Sequence, residues 1–75
     1  MAVNYFLINR EIADVASGFM DGDYSDDVVY QGDSISALKE KATNYSLGEL
    51  TVVSYAPYFV TMYGYSTWVK KFGRS

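Results

Sequence analysis

Residues 32–48 read GDSISALKEKATNYSLG, and their reading sets the fold. Asp33 or Ser34 supplies a side-chain oxygen for the orphan amides of a first helical turn. Ile35, Leu38, Ala42 and Tyr45 then recur at helical spacing on one face. Lys39, Glu40, Lys41 and Asn44 fill the other side. Gly48 offers the left-handed conformation that commonly ends such a helix. The spacing therefore predicts one amphipathic helix over residues 34–46, three turns long, able to cover one face of a sheet.

Strands are expected on both sides of it. Upstream, residues 27–31 (DVVYQ) make a short β-branched stretch, and residues 2–8 (AVNYFLI) alternate Val3, Tyr5 and Leu7 against Asn4, Phe6 and Ile8. Downstream, residues 49–56 (ELTVVSYA) are rich in strand formers. Pro57, which has no amide hydrogen, breaks the ladder or marks an edge. Residues 58–63 (YFVTMY) read as the next strand, and YSTWVKKF as a last strand or a tail. Residues 10–19 place Ile12, Val15, Ala16 and Phe19 at helical spacing with Asn9 as a possible cap, so a short helix or turn is expected there; a strand ending near Gly18 is the alternative. The fold class is α+β: residues 1–75 form a single small two-layer domain, with an antiparallel sheet of three to five strands and one main helix.

Composition limits the chemistry. The 75 residues contain no cysteine and no histidine. Disulfides, thiolate zinc sites, cysteine nucleophiles and imidazole bases are all removed together. Chains of this length bury only about 60% of the surface they expose when unfolded, so stability must come from packing. A hydrophobic content of 49%, with eight tyrosines and four phenylalanines, suits that. No catalytic motif and no cofactor motif is present, and the chain reads as non-enzymatic. No apolar run reaches the roughly 18 residues that span a bilayer, and no basic, then apolar, leader opens the chain. A cytoplasmic location is expected.

Charge is unevenly placed. Residues 11–33 hold seven acids and no base, whereas residues 39–75 hold five bases and two acids. The densest acidic stretch is Asp21, Asp23, Asp26 and Asp27. Asp21, Asp23 and Ser25 match the first, third and fifth positions of an EF-hand loop. Asp26 stands where that loop requires glycine, and Gly32 where it requires a bidentate glutamate, so no calcium loop is assigned. The acids read either as a solvated connection or as an electronegative surface for a basic partner such as a nucleic-acid-binding protein. Direct nucleic-acid binding through Lys70, Lys71 and Arg74 is disfavoured by the net charge of −3.

Apolar bulk exceeds what one short helix can roof. Residues 58–63 carry large side chains on both faces, as does the first strand, whereas a half-exposed antiparallel sheet alternates more cleanly. Either residues 10–19 or the C-terminal tail covers the second face, or aromatics remain exposed there as a contact surface. The candidate anchors are Tyr24, Tyr30, Tyr58, Tyr63, Tyr65 and Trp68, with Asp21, Asp23, Asp26 and Asp27 supplying attraction.

The stretch VVYQGDSISALKEKATNYSLGELTVVSY runs strand, capped helix, glycine, strand, and the chain ends in a Tyr/Trp-rich segment. In size, acidity and layout it resembles the small acidic proteins that bacteriophages encode to disable host machinery, including some anti-CRISPR inhibitors. That resemblance implies an inhibitor acting in the bacterial cytoplasm by occluding a basic, nucleic-acid-binding site on a larger complex. A structural module that self-associates as a homodimer through an open sheet face is the second reading.

Overall fold

In a computed structural model of the chain, residues 3–18, 25–45 and 47–72 are described. The elements run β1 (Asn4–Ile8), α1 (Ile12–Gly18), β2 (Val28–Gly32), α2 (Ile35–Ala42), β3 (Thr51–Tyr55), β4 (Val60–Gly64) and α3 (Tyr65–Lys71). The fold is α+β. Its four strands form one antiparallel sheet in the order β2-β1-β3-β4.

Three helices, rather than one, are present among the described residues, and they cover both faces of the sheet. Successive strand residues point to opposite faces, which sorts the core into two clusters. Leu7 and Val52 face α2 and α3, packing with Leu38, Ala42, Leu50 and Trp68. Ile8 and Val53 face the other way and pack with Val15 of α1, with Phe6, Val28, Tyr55 and Met62 around them. The expected antiparallel sheet with its main helix on one face is present, and the short α1 adds cover to the second face. This explains why β1 and β4 carry bulk on both faces: each face has its own roof.

Local chemistry fits each element. Ser34 caps α2, its Oγ accepting from the Ala37 amide at 3.1 Å. The helix is shorter than its apolar spacing suggests. It ends at Ala42 with Thr43 as cap, so Tyr45 lies exposed beyond it and Gly48 sits in a short 3-10 turn. At α1 the Glu11 carbonyl accepts from Asp14 and Val15, while the Asn9 amide donates to the Asp27 carbonyl, so Asn9 joins β1 to β2 instead of capping the helix. β2 bulges at Val29, because Leu7 pairs Tyr30 and Ile8 pairs Val28. Pro57 lies in the turn between β3 and β4, where no ladder amide is needed.

The C-terminal segment, expected as strand or tail, is α3. β4 runs into it directly at Gly64. The amide of Tyr65 still donates to the Leu50 carbonyl at 2.9 Å, so the ladder continues one step into the helix. Tyr65 and Trp68 are three residues apart, which in a helix puts both on one face, and that face lies on the sheet. Trp68 is fully buried and Tyr65 only 8% exposed. Tyr5 meets the indole edge-on, with ring centres 5.7 Å apart and planes at 72°.

Candidate protein-contact surface

The expected contact residues divide into three groups. Asp21, Asp23 and Tyr24 lie outside the described residues. Tyr65 and Trp68 belong to the core, which corrects their assignment as exposed anchors: the helical period that α3 imposes turns both rings inward. Tyr30 and Tyr63 are half-buried, and Tyr58 is exposed.

Tyr30 and Asp27 have internal work. The Tyr30 hydroxyl accepts from the Ser34 amide at 3.1 Å, tying β2 to the first turn of α2. Gly32 leaves room for this ring, since a Cβ there would lie 2.6 Å from the hydroxyl. The Asp27 carboxylate pairs with the Arg10 guanidinium across the β1–β2 end of the sheet. Asp26, next to it, is exposed.

Apart from Tyr45, the rings that face solvent most gather at one end of the sheet. Ala56 donates to the Phe59 carbonyl at 2.9 Å and closes the β3–β4 hairpin over Pro57 and Tyr58. Tyr58 at its tip is 89% exposed, and Phe59 62%. Val60 follows at 45%, and Phe72, just past α3, is 47% exposed. Phe72 lies against Tyr63, ring centres 5.6 Å apart, and the Lys71 ammonium sits 5.7 Å from the Tyr63 ring centre. Between hairpin and helix end lies an apolar cleft of about 120 Å³, floored by Tyr5, Ser54 and Thr61 and walled by Phe59 and Phe72. α2 and α3 leave this end of their face uncovered. Of these residues, Phe59 and Phe72 were not singled out as contact anchors. Hydropathy does not mark them, because in sequence they sit among core aromatics of the same kind; Pro57 is the one local signal that a turn lifts its neighbours out.

The opposite end of the sheet is acidic. Glu11, Asp14 and Glu49 surround a polar hollow with Asn9 and Arg10, and the Arg10 carbonyl accepts from the buried Thr51 hydroxyl at 2.8 Å. Among the described residues no group of three His, Cys, Asp or Glu is placed to hold a metal ion. At about 3.3 Å per residue, the four steps from Thr51 to Tyr55 and the turn beyond put the two ends roughly 15–20 Å apart. The described acids and the exposed rings thus occupy opposite ends rather than one patch.

Fold and surface together define a small α+β domain, roofed on both faces and polarised along its strands, apolar at the hairpin and acidic at the other end. No family model matches this chain, and no curated protein or solved structure matches it either. No helix among the described residues is long and apolar enough to cross a membrane.

Proposed function

We propose that the chain is a non-enzymatic protein-binding module that docks through its β3–β4 hairpin end. The observation that carries this is the pair Tyr58 and Phe59, held out at 89% and 62% exposure on a turn closed by a backbone hydrogen bond. The Ala56–Phe59 bond fixes the backbone that carries these rings, so little backbone entropy is lost when they are covered. Tyrosine and other aromatics are the side chains that most often supply a desolvated anchor. The cleft beside them has room for about one apolar side chain of a partner.

The acidic end has a separate role in this reading. Like charges concentrated there steer the module toward a basic surface, raising the rate of encounter more than the lifetime of the complex. The finer form of the proposal, occlusion of a nucleic-acid-binding site by a phage-type inhibitor, rests on that charge and on the layout of the sequence.

A photo-crosslinking amino acid at position 58 tests the reading, with position 41 on the exposed side of α2 as the control. Position 58 is expected to give a discrete adduct with another polypeptide chain in the cells that express the protein. Adducts from position 41 alone would move the contact to the helical face and refute the assignment.

A further inference from the structure

The sheet order leaves β4 as an edge strand, and the hydrogen-bond phase along it can be read from two bonds. Ala56 donates to Phe59 at one end of the β3–β4 ladder, and Tyr65 donates to Leu50 at the other. Both fit the β3–β4 register, in which Ser54 faces Thr61 and Val52 faces Tyr63. Bonded and non-bonded pairs alternate along an antiparallel ladder. The amides and carbonyls of Phe59, Thr61, Tyr63 and Tyr65 therefore turn inward to β3. Those of Val60, Met62 and Gly64 turn outward.

We infer that this outward row binds the same row of a second copy of the chain. The inference rests on the reading of the hairpin end as a contact surface and names a second copy as its occupant; the acidic end of each copy, opposite the hairpin, then faces the basic surface. Three features favour a second copy. The row is its own complement: a two-fold axis at Met62 pairs Met62 with Met62 and Val60 with Gly64, all bonded pairs, six hydrogen bonds in all, joining two four-stranded sheets into one. Residues 60–64 carry no charge, so no like charges oppose each other in the new ladder. The strand also lacks the devices that protect an edge, a bulge, an inward charge or a proline, whereas the other edge, β2, has its bulge at Val29 and the acids 26 and 27 at its start.

The area is of the right order. Aromatic side chains present about 150–250 Å² each. At the exposures of Tyr58 and Phe59, that is roughly 230–380 Å² per copy. A specific interface needs about 500 Å² per partner, and the strand edge with Val60 makes up the remainder. In this register the hairpin tip of each copy runs alongside the start of the other's α3, which covers Tyr58 and Phe59.

Sedimentation velocity on the full chain, from about 1 µM to about 1 mM, tests this. The expected result is a monomer–dimer equilibrium with a midpoint on the order of 1–100 µM. A synthetic chain N-methylated at Met62 keeps every side chain and every intrachain ladder bond. It should melt within a few degrees of the parent and dimerise on the order of 100-fold more weakly or not at all. Val60→Lys, a substitution at an exposed edge position, should give the same loss. A monomer throughout the range, or a dimer indifferent to both changes, overturns the inference. A monomer that still crosslinks from position 58 to a different protein overturns the second copy alone and leaves the docking surface in place. A monomer with no adduct from position 58 overturns both.

Discussion

Replacing Trp68 by alanine separates a core ring from a contact ring. The indole is fully buried beneath Tyr5 and Tyr65 and joins α3 to the sheet. Large-to-small changes of this kind cost about 3–5 kcal/mol, the transfer of the ring plus the cavity it leaves. A chain of 75 residues has a total stability of roughly 4–11 kcal/mol, so Trp68→Ala should remove about a quarter of it or more and can leave the chain largely unfolded at 37 °C. Trp68→Phe should be milder, about 0–2 kcal/mol. It loses less area, and it also removes an indole N–H that has no hydrogen-bond partner among the described residues, a burial that itself costs about 1–3 kcal/mol. Tyr58→Ala, at the exposed tip, should fall within about 0.5 kcal/mol of the parent. Urea unfolding followed by far-ultraviolet circular dichroism measures all three without relying on the sole tryptophan. A Trp68→Ala cost below about 1 kcal/mol, or a Tyr58→Ala cost above about 2 kcal/mol, would show that the two rings had been assigned to the wrong sides of the surface.

Other expectations follow from individual bonds. Tyr30→Phe removes the acceptor for the Ser34 amide and should lower stability by about 0.5–1.5 kcal/mol in the same unfolding assay, with crosslinking from position 58 unchanged. Ser34→Ala removes the cap of α2 and should cost about 1 kcal/mol, whereas Ser34→Asp should keep most of that stability. Burial pushes the Tyr65 phenol above its usual value of 10.0. A raised folded-state value means that the unfolded chain releases this proton first, so the contribution is complete below about pH 10 and declines as pH rises from there through the folded value. The melting temperature of Tyr65→Phe should accordingly fall less steeply above about pH 10 than that of the parent; parallel slopes would remove Tyr65 from the alkaline transition.

Much of the architecture was legible in the sequence because local chemistry and tertiary packing agree there. Ser34 caps the helix that its apolar spacing predicts, and the four strands fall where β-branched runs stand between turn residues. Residues 65–71 were harder to read. Tyr65, Thr67 and Val69 favour a strand by propensity, yet Tyr65, Trp68 and Val69 also fit a helical face, and tertiary packing decides for the helix. That one difference moves the contact surface. With α3 sharing one face with α2, and α1 covering the other, most of the apolar surplus is absorbed; the most exposed side chains, Tyr58 and Phe59, stand at the hairpin, with Ile12 and Tyr45 exposed elsewhere. Charge was legible in sequence as a run, but its place was not, because the ends of a sheet are fixed by strand order and register rather than by local pattern.

Amide hydrogen exchange along β4, compared between dilute and concentrated solution, tests the central claim most directly. Thr61 and Tyr63, bonded to β3, should exchange slowly at both concentrations. Val60, Met62 and Gly64 should exchange quickly when dilute and slow down as the chain is concentrated. Rapid exchange at these three positions at every concentration would contradict a strand edge that closes on a second copy, and slow exchange at all five in dilute solution would contradict the edge itself.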